Sequence, residues 1–284
     1  MRSVKSLIAA GAASLLSSVA FAADLPIAAP PMYAPPPPAD FGGWYLRGDI
    51  GMTNQSAKDL TLANAPFPAG FATTGLGFDS ATLFDIGVGY QFNDWFRADV
   101  IGQWRGKSNF HASQFAPFGT IGPFFTAADN YSASKSETVV MVNGYVDLGT
   151  WWCITPYIGA GIGGSYNRIS GFRDDGVIIN TALVNPLANS VTYATDSGKW
   201  NFAWALHAGL GYHVMPNATI ELGYSYMNLG DGITGPTNSF DGVTVVNGSG
   251  FLIKTITSQD VKLGVRWNFD TPEVYAPPPL VTKG

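Results

Sequence analysis

Three histidines, one cysteine and the run Arg173-Asp174-Asp175 are where the residue types of this 284-residue chain could support chemistry. His207 and His213 share one face of an alternating segment. Six residues apart, at about 3.3 Å per residue they stand roughly 20 Å from one another, too far to share a metal, and they read as members of a structural polar network. His111 opens "HASQF", an imidazole two residues from a hydroxyl, the pair that base-activated attack needs; the segment reads as a loop, where such pairs are common. "GFRDDG" at 171–176 has carboxylates but too few of the six to eight oxygens that calcium takes, and reads as solvated loop charge. Cys153 in "TWWCITP" has no partner for an internal disulfide and reads as a small apolar residue at an interface. Ser/His/Asp spacing, phosphate loops and zinc spacing are absent. The expectation is therefore no catalytic residue, no cofactor and no metal.

The elements that must position these residues alternate with period two, the mark of strands. Eight segments present one uncharged face each: Trp44–Met52, Phe84–Phe92, Phe96–Trp104, Val140–Leu148, Ile158–Gly164, Phe202–Val214, Ile220–Tyr226 and Val261–Phe269. The opposite faces hold Arg47, Asp49, Asp85, Arg97, Asp99, Arg105, Asp147, Glu221, Lys262 and Arg266, with equal numbers of the two signs. In a soluble sandwich the apolar face would be the core and the charges would meet water; four features reverse that assignment. Connections alternate short (93–95, 149–155, 215–218) and long (53–80, 107–131, 167–199, 229–255), as in outer-membrane barrels. Aromatic residues including Trp95, Trp151, Trp152, Tyr212, Trp267 and Phe269 gather at the short-turn end, as in an interfacial girdle. Glycines on the charged face (Gly87, Gly89, Gly159, Gly161, Gly163, Gly209, Gly211) make room for large neighbours in a narrow interior. No amphipathic helix exists to cover the apolar face, so lipid must.

The fold class expected is all-β: a transmembrane antiparallel up-and-down β-barrel of eight strands. Ten strands result if "GVIINTALV" and "SVTYAT" join the wall. "GVTVV" is expected to fold back on "GFLIKTI" above the membrane, through the turn "NGSG".

Around the barrel at 43–269, residues 1–22 read as a signal peptide, with Arg2 and Lys5 before a short apolar run ending at Ala20-Phe21-Ala22. Residues 23–42 and 270–284 read as proline-rich periplasmic arms, echoing each other in "MYAPPPP" and "VYAPPPL". The expected location is the cell outer membrane. Charged residues make up only 12% of the chain and the formal net charge is -5, which with no basic cluster excludes nucleic acid as a partner.

"GWYLRGDIG", "VNGYVDLG", "TPYIGAGIGGSY", "WALHAGLGYHV", "IELGYSYMNLG" and "VKLGVRWNF" resemble the small outer-membrane barrels of the opacity-type porin family, in its alphaproteobacterial surface-protein branch. The resemblance covers the strands and not the long connections, and it departs where "DTPEVYAPPPLVTKG" follows the terminal aromatic Phe269. It implies an integral outer-membrane barrel, and the apolar, aromatic long connections, as in "PFPAGF" and "FAPFGTIGPFF", point to a non-enzymatic protein with an envelope-structural and surface-interaction role, adhesion or antigen-like. The partners expected are outer-membrane lipid and lipopolysaccharide, the outer-membrane assembly machinery, a host surface at the apolar long connections and peptidoglycan at the proline-rich arms, which read otherwise as inert linkers. A narrow pore for small solutes is the first alternative. Lipid A modification is the second, from the similarity of His111-x-Ser113 to outer-membrane lipid A deacylases, although Gln114 stands where those have Asn.

Overall fold

The structure is a computed structural model and describes residues 43–180, 182 and 187–269. The expected signal peptide and both proline-rich arms lie outside the described residues. Each regular element among the described residues is a strand: β1 (Gly43–Leu62), β2 (Ala72–Phe78), β3 (Ala81–Gln91), β4 (Phe96–Ala116), β5 (Phe125–Asp147), β6 (Ile154–Asn180), β7 (Leu187–Ala194), β8 (Ser197–Met215), β9 (Ala218–Ile233), β10 (Thr237–Phe240), β11 (Val245–Gly248) and β12 (Phe251–Asn268). Eight of them close a ring in the order β1, β3, β4, β5, β6, β8, β9, β12 and back to β1, with all pairings antiparallel.

The eight expected segments form the lower wall, with the expected faces. Ile50, Met52, Phe84, Trp104, Val142, Ile162, Phe202, Leu222 and Val261 face outward and are exposed, while Arg47, Asp85, Arg97, Arg105 and Glu221 are buried in the lumen. The short turns share one rim. There Tyr45 pairs with Asn268, so the described chain begins and ends side by side. The turn between β5 and β6 puts Trp152 (φ 50°) and Cys153 (φ 67°) consecutively in the left-handed region, bridged by Trp151 and Ile154. This is the backbone form a tight hairpin demands, here without glycine.

The long connections depart from expectation, because most of their residues are strand. A tilted strand crosses a bilayer in about 9–11 residues, yet β6 runs for 27 and β5 for 23. The wall therefore continues upward as a crown. Register shifts mark the change: Arg105/Ser108 in β4, Ser132/Ser134 against β6, and Ile253/Ile256 in β12. An extra residue in one strand sends every later side chain to the opposite face. In β4 the inward positions change from Arg97–Arg105 (odd) to Ser108–Ala116 (even), and in β6 they change at Gly171, whose φ is 60°.

Four further strands build the crown without entering the ring. β2 pairs with β4, β7 with the top of β6, β10 with β7, and β11 with β10. Residues 176–179 of "GVIINTALV" pair with 187–190, and residues 191–193 of "SVTYAT" with 173–175, but this hairpin stands above the ring, and the wall keeps eight strands. The expected partner of "GVTVV" was wrong: Val245 and Val246 pair with Phe240 and Ser239 of β10, because β12 is already held on both sides by β1 and β9.

Candidate functional site

The lumen is filled in layers. At the short-turn rim Glu221 meets three guanidinium groups, of Arg266 (2.9 Å), Arg97 (3.3 Å) and Arg47 (3.4 Å). Arg97 also pairs with Asp147 at 3.2 Å and lies between the rings of Tyr145 and Tyr157, 4.4 and 4.7 Å from their centroids. Arg47 binds Asp49 (2.8 Å), Asp99 (3.1 Å) and the Tyr145 hydroxyl (3.0 Å). Lys262 donates to Asp85 at 3.2 Å. Arg105 pairs with Asp260 and Glu137 and donates to Thr53 and Ser258. All ten charges read from the sequence are therefore buried in the lumen, with Arg47, Asp49, Asp99, Arg97, Asp147, Glu221 and Arg266 in one group of ion pairs and Arg105 linked through Gln103 to Asp85 and Lys262 in a second.

The glycines on this face are close-approach positions. A Cβ on Gly159 would come 2.5 Å from the Tyr145 ring, and one on Gly209 2.5 Å from the Tyr157 hydroxyl. The aromatic groups that flank Arg97 occupy the space these glycines leave.

Sequence reading missed Lys135, Glu137 and Asp260, which belong to the second group: Lys135 binds Glu137 and donates to Gln55 at 2.8 Å. The signal was there, since odd positions of β5 face inward without interruption from Ala127 to Asp147. Above this layer the lumen turns apolar, with Leu60, Phe78, Phe110, Ile169, Phe172, Phe251, Ile253 and Ile256 in one buried cluster. Phe172 stacks on Phe251 at 4.7 Å between centroids, and Tyr131 meets Phe251 edge-on at 5.5 Å.

Among the histidines, His207 sits in the lumen, bonded to Ser225 and Asn143, while His213 lies at the short-turn mouth between Thr155 and Thr219. His111 is on β4 and not in a loop. Its Nδ1 stands 4.0 Å from Asp79, whereas the Ser113 hydroxyl donates to Asn130 Oδ1 at 2.8 Å. The "GFRDDG" run is also strand, and its carboxylates part: Asp175 faces outward to Arg173 (2.7 Å), and Asp174 is buried. Burial, then the neighbouring Asp129 and Asp175, push the Asp174 carboxyl up to about 7. Cys153 is exposed.

Trp95, Trp151, Trp152, Tyr212, Trp267 and Phe269 all face outward at the short-turn rim, Trp152 with 92% of its surface free. A second outward belt, of Trp104, Trp200, Phe202 and Trp204, lies at the base of the crown. The crown's own exposed apolar residues include Phe115, Phe118, Tyr193, Phe240, Val243 and Val245.

The profile of the outer membrane protein beta-barrel domain family matches residues 9–269. An uncharacterised protein of Brucella abortus is 31% identical over 232 residues, 76% of this chain and 78% of that protein. The outer membrane protein PagN of Salmonella typhimurium is 29% identical over 66% of this chain and 75% of its own. A Rickettsia felis protein provisionally named an adhesin is 28% identical over 92% of this chain and 97% of its own. Among solved structures, Neisserial surface protein A aligns with a TM-score of 0.40 and 16% identity, covering 80% of this chain and 97% of that one.

Proposed function

Because this chain belongs to the outer membrane protein beta-barrel domain family and resides in the cell outer membrane, we propose that it is a surface-interaction protein in which a closed barrel carries an adhesive crown. The observation that carries this reading is the filled lumen. From Arg266 at the short-turn mouth to Phe251 in the crown, ionic and then apolar side chains occupy the interior. Unpaired charge in such an interior is costly, so the network holds its shape and contact with the outside falls to the crown.

The crown suits that role. Phe115, Phe118, Phe240, Val243 and Val245 are exposed on a strand framework, and clustered exposed apolar groups are what macromolecular contact sites present. Among the described residues β11 pairs on one side only, which leaves an edge to which another strand can add. The provisional adhesin name of the Rickettsia relative agrees with this reading. Lipopolysaccharide around the second aromatic belt and a host or sister-cell surface at the crown are the partners proposed.

Adhesion assays test it. Cells displaying a variant with Phe115, Phe118, Val243 and Val245 changed to Ser should lose adherence and autoaggregation while the barrel band keeps its heat-modifiable mobility. Undiminished adherence by that variant refutes the reading. Planar-bilayer recordings address the pore alternative: no unitary steps are expected from the wild type, and steady ohmic steps would favour transport.

A further inference from the structure

One buried carboxylate oxygen in the crown lacks a partner, although Thr192 serves the same carboxylate. Asp174 on β6 is 8% exposed and its Oδ1 receives no hydrogen bond. It lies opposite Tyr131 of β5 and Thr192 of β7. Two residues further, Gly176 lies opposite Asp129 of β5 and Ser190 of β7. These side chains share one face of three adjacent strands, and diagonal neighbours across such a ladder are within reach of each other. Gly176 leaves a gap between them: a Cβ there would stand 2.6 Å from Asp129 Oδ1 and 2.5 Å from Ser190 Oγ.

No cation of the chain serves these carboxylates among the described residues. Arg173 faces outward to Asp175, and Lys135 is engaged deeper by Glu137 and Gln55. Residues 181–186, Thr-Ala-Leu-Val-Asn-Pro, carry no charge. Asp174 is buried and Asp129 half-buried, and buried carboxylates are found paired or coordinating a metal. Oxygen-only donors select hard cations, and an irregular set of carboxylates and hydroxyls from three strands suits calcium better than the strict octahedron of magnesium.

We infer that the crown holds a divalent cation of the calcium class between Asp129 and Asp174, with the hydroxyls of Ser190 and Thr192 beside it. Three His, Cys, Asp or Glu side chains do not converge anywhere among the described residues, so water completes the shell. The affinity expected is that of extracellular modules, about 10⁻⁴–10⁻³ M. The ion would tie the β6–β7 hairpin to β5.

The experiment is independent of the adhesion reading. Full-length protein, refolded in detergent and stripped with chelator, is titrated with calcium chloride by calorimetry and with terbium by sensitised luminescence. Saturable binding is expected. Asp129→Asn and Asp174→Asn should each weaken it at least tenfold, while Asp175→Asn leaves it unchanged. Tyr131→Phe, which keeps the ring beside Asp174, should bind terbium with unchanged affinity and thereby show that the phenol group is not a ligand. Circular dichroism and heat-modifiable mobility confirm that each variant is folded. Absence of saturable binding, or Asp129→Asn and Asp174→Asn variants that bind like the wild type, overturns the inference.

Discussion

Glu221 is the place to test whether the lower lumen behaves as a dry, interlocked network. Its carboxylate stands within 3.4 Å of three guanidinium groups and is 2% exposed. Replacing it with Ala leaves Arg47 with Asp49 and Asp99, and Arg97 with Asp147, but leaves Arg266 with no carboxylate among the described residues, held by the Gln91 amide oxygen at 3.1 Å and lying 5.5 Å from the centroid of the Tyr45 ring. Removing one partner of a buried ion pair costs about 3–5 kcal/mol, because a desolvated charge remains. At about 1.4 kcal/mol per tenfold, that lowers the folding constant by roughly two to nearly four orders of magnitude. The assay is reversible denaturant unfolding in lipid vesicles followed by tryptophan fluorescence. Removing Arg266 as well should return part of the loss, so the Glu221→Ala/Arg266→Ala double variant is more stable than the sum of the singles by about 0.5–3 kcal/mol. A loss under about 1 kcal/mol for Glu221→Ala, with additive singles, is the signature of solvent-screened pairs. It would refute the sealed lumen and with it the argument that function lies outside.

Two glycines should separate backbone strain from crowding. Gly171→Ala has open space around the new methyl group but must hold φ 60°, and should cost about 1–2 kcal/mol, whereas Gly159→Ala drives the Tyr145 ring off Arg97 and should cost more in the same unfolding assay. Asp174 predicts a pH dependence in chelator. Its carboxyl, faced by Asp129 and Tyr131 of β5 and flanked by Asp175, is raised from 3.8 to about 7 on folding, so the folded crown binds the proton more tightly than the unfolded chain. Stability from this group is therefore full below pH 3.8 and falls as pH rises toward 7. Hydrogen exchange of β6 and β7 amides, corrected for intrinsic rates, should show that slope in the wild type and lose it in Asp174→Asn. Orientation is checked by labelling: an impermeant maleimide should miss Cys153 on intact cells and reach Tyr193→Cys in a Cys153→Ser background. The reverse pattern would invert the topology.

The lower wall was legible because its physics is local. Each nine-residue segment such as Trp44–Met52 or Val261–Phe269 must be oily on one face and polar on the other, so strict alternation named the strands, their faces and ten lumen charges. The charge count could not say which pairs form, since Glu221 reaches Arg47, Arg97 and Arg266 on three different strands. The crown was hidden for a specific reason. At the register shift in β4 and at Gly171 the inward phase inverts, so the same alternation looks broken when read along one chain and becomes continuous only when the neighbouring strand sets the register.

The same limit explains the misplaced partner of β11 and the misread "GFRDDG". The sequence by itself determined a lipid-facing cylinder with an ionic interior, because a two-residue period and a change of solvent need no distant partner. Only the tertiary structure decided that the cylinder rises into a strand-built crown, and that Asp129 and Asp174, far apart along the chain, come to share one face of adjacent strands with no cationic side chain of the described residues paired to them. Pairing across strands is a long-range choice, made where bulges reset the register and where the faces left over must be buried.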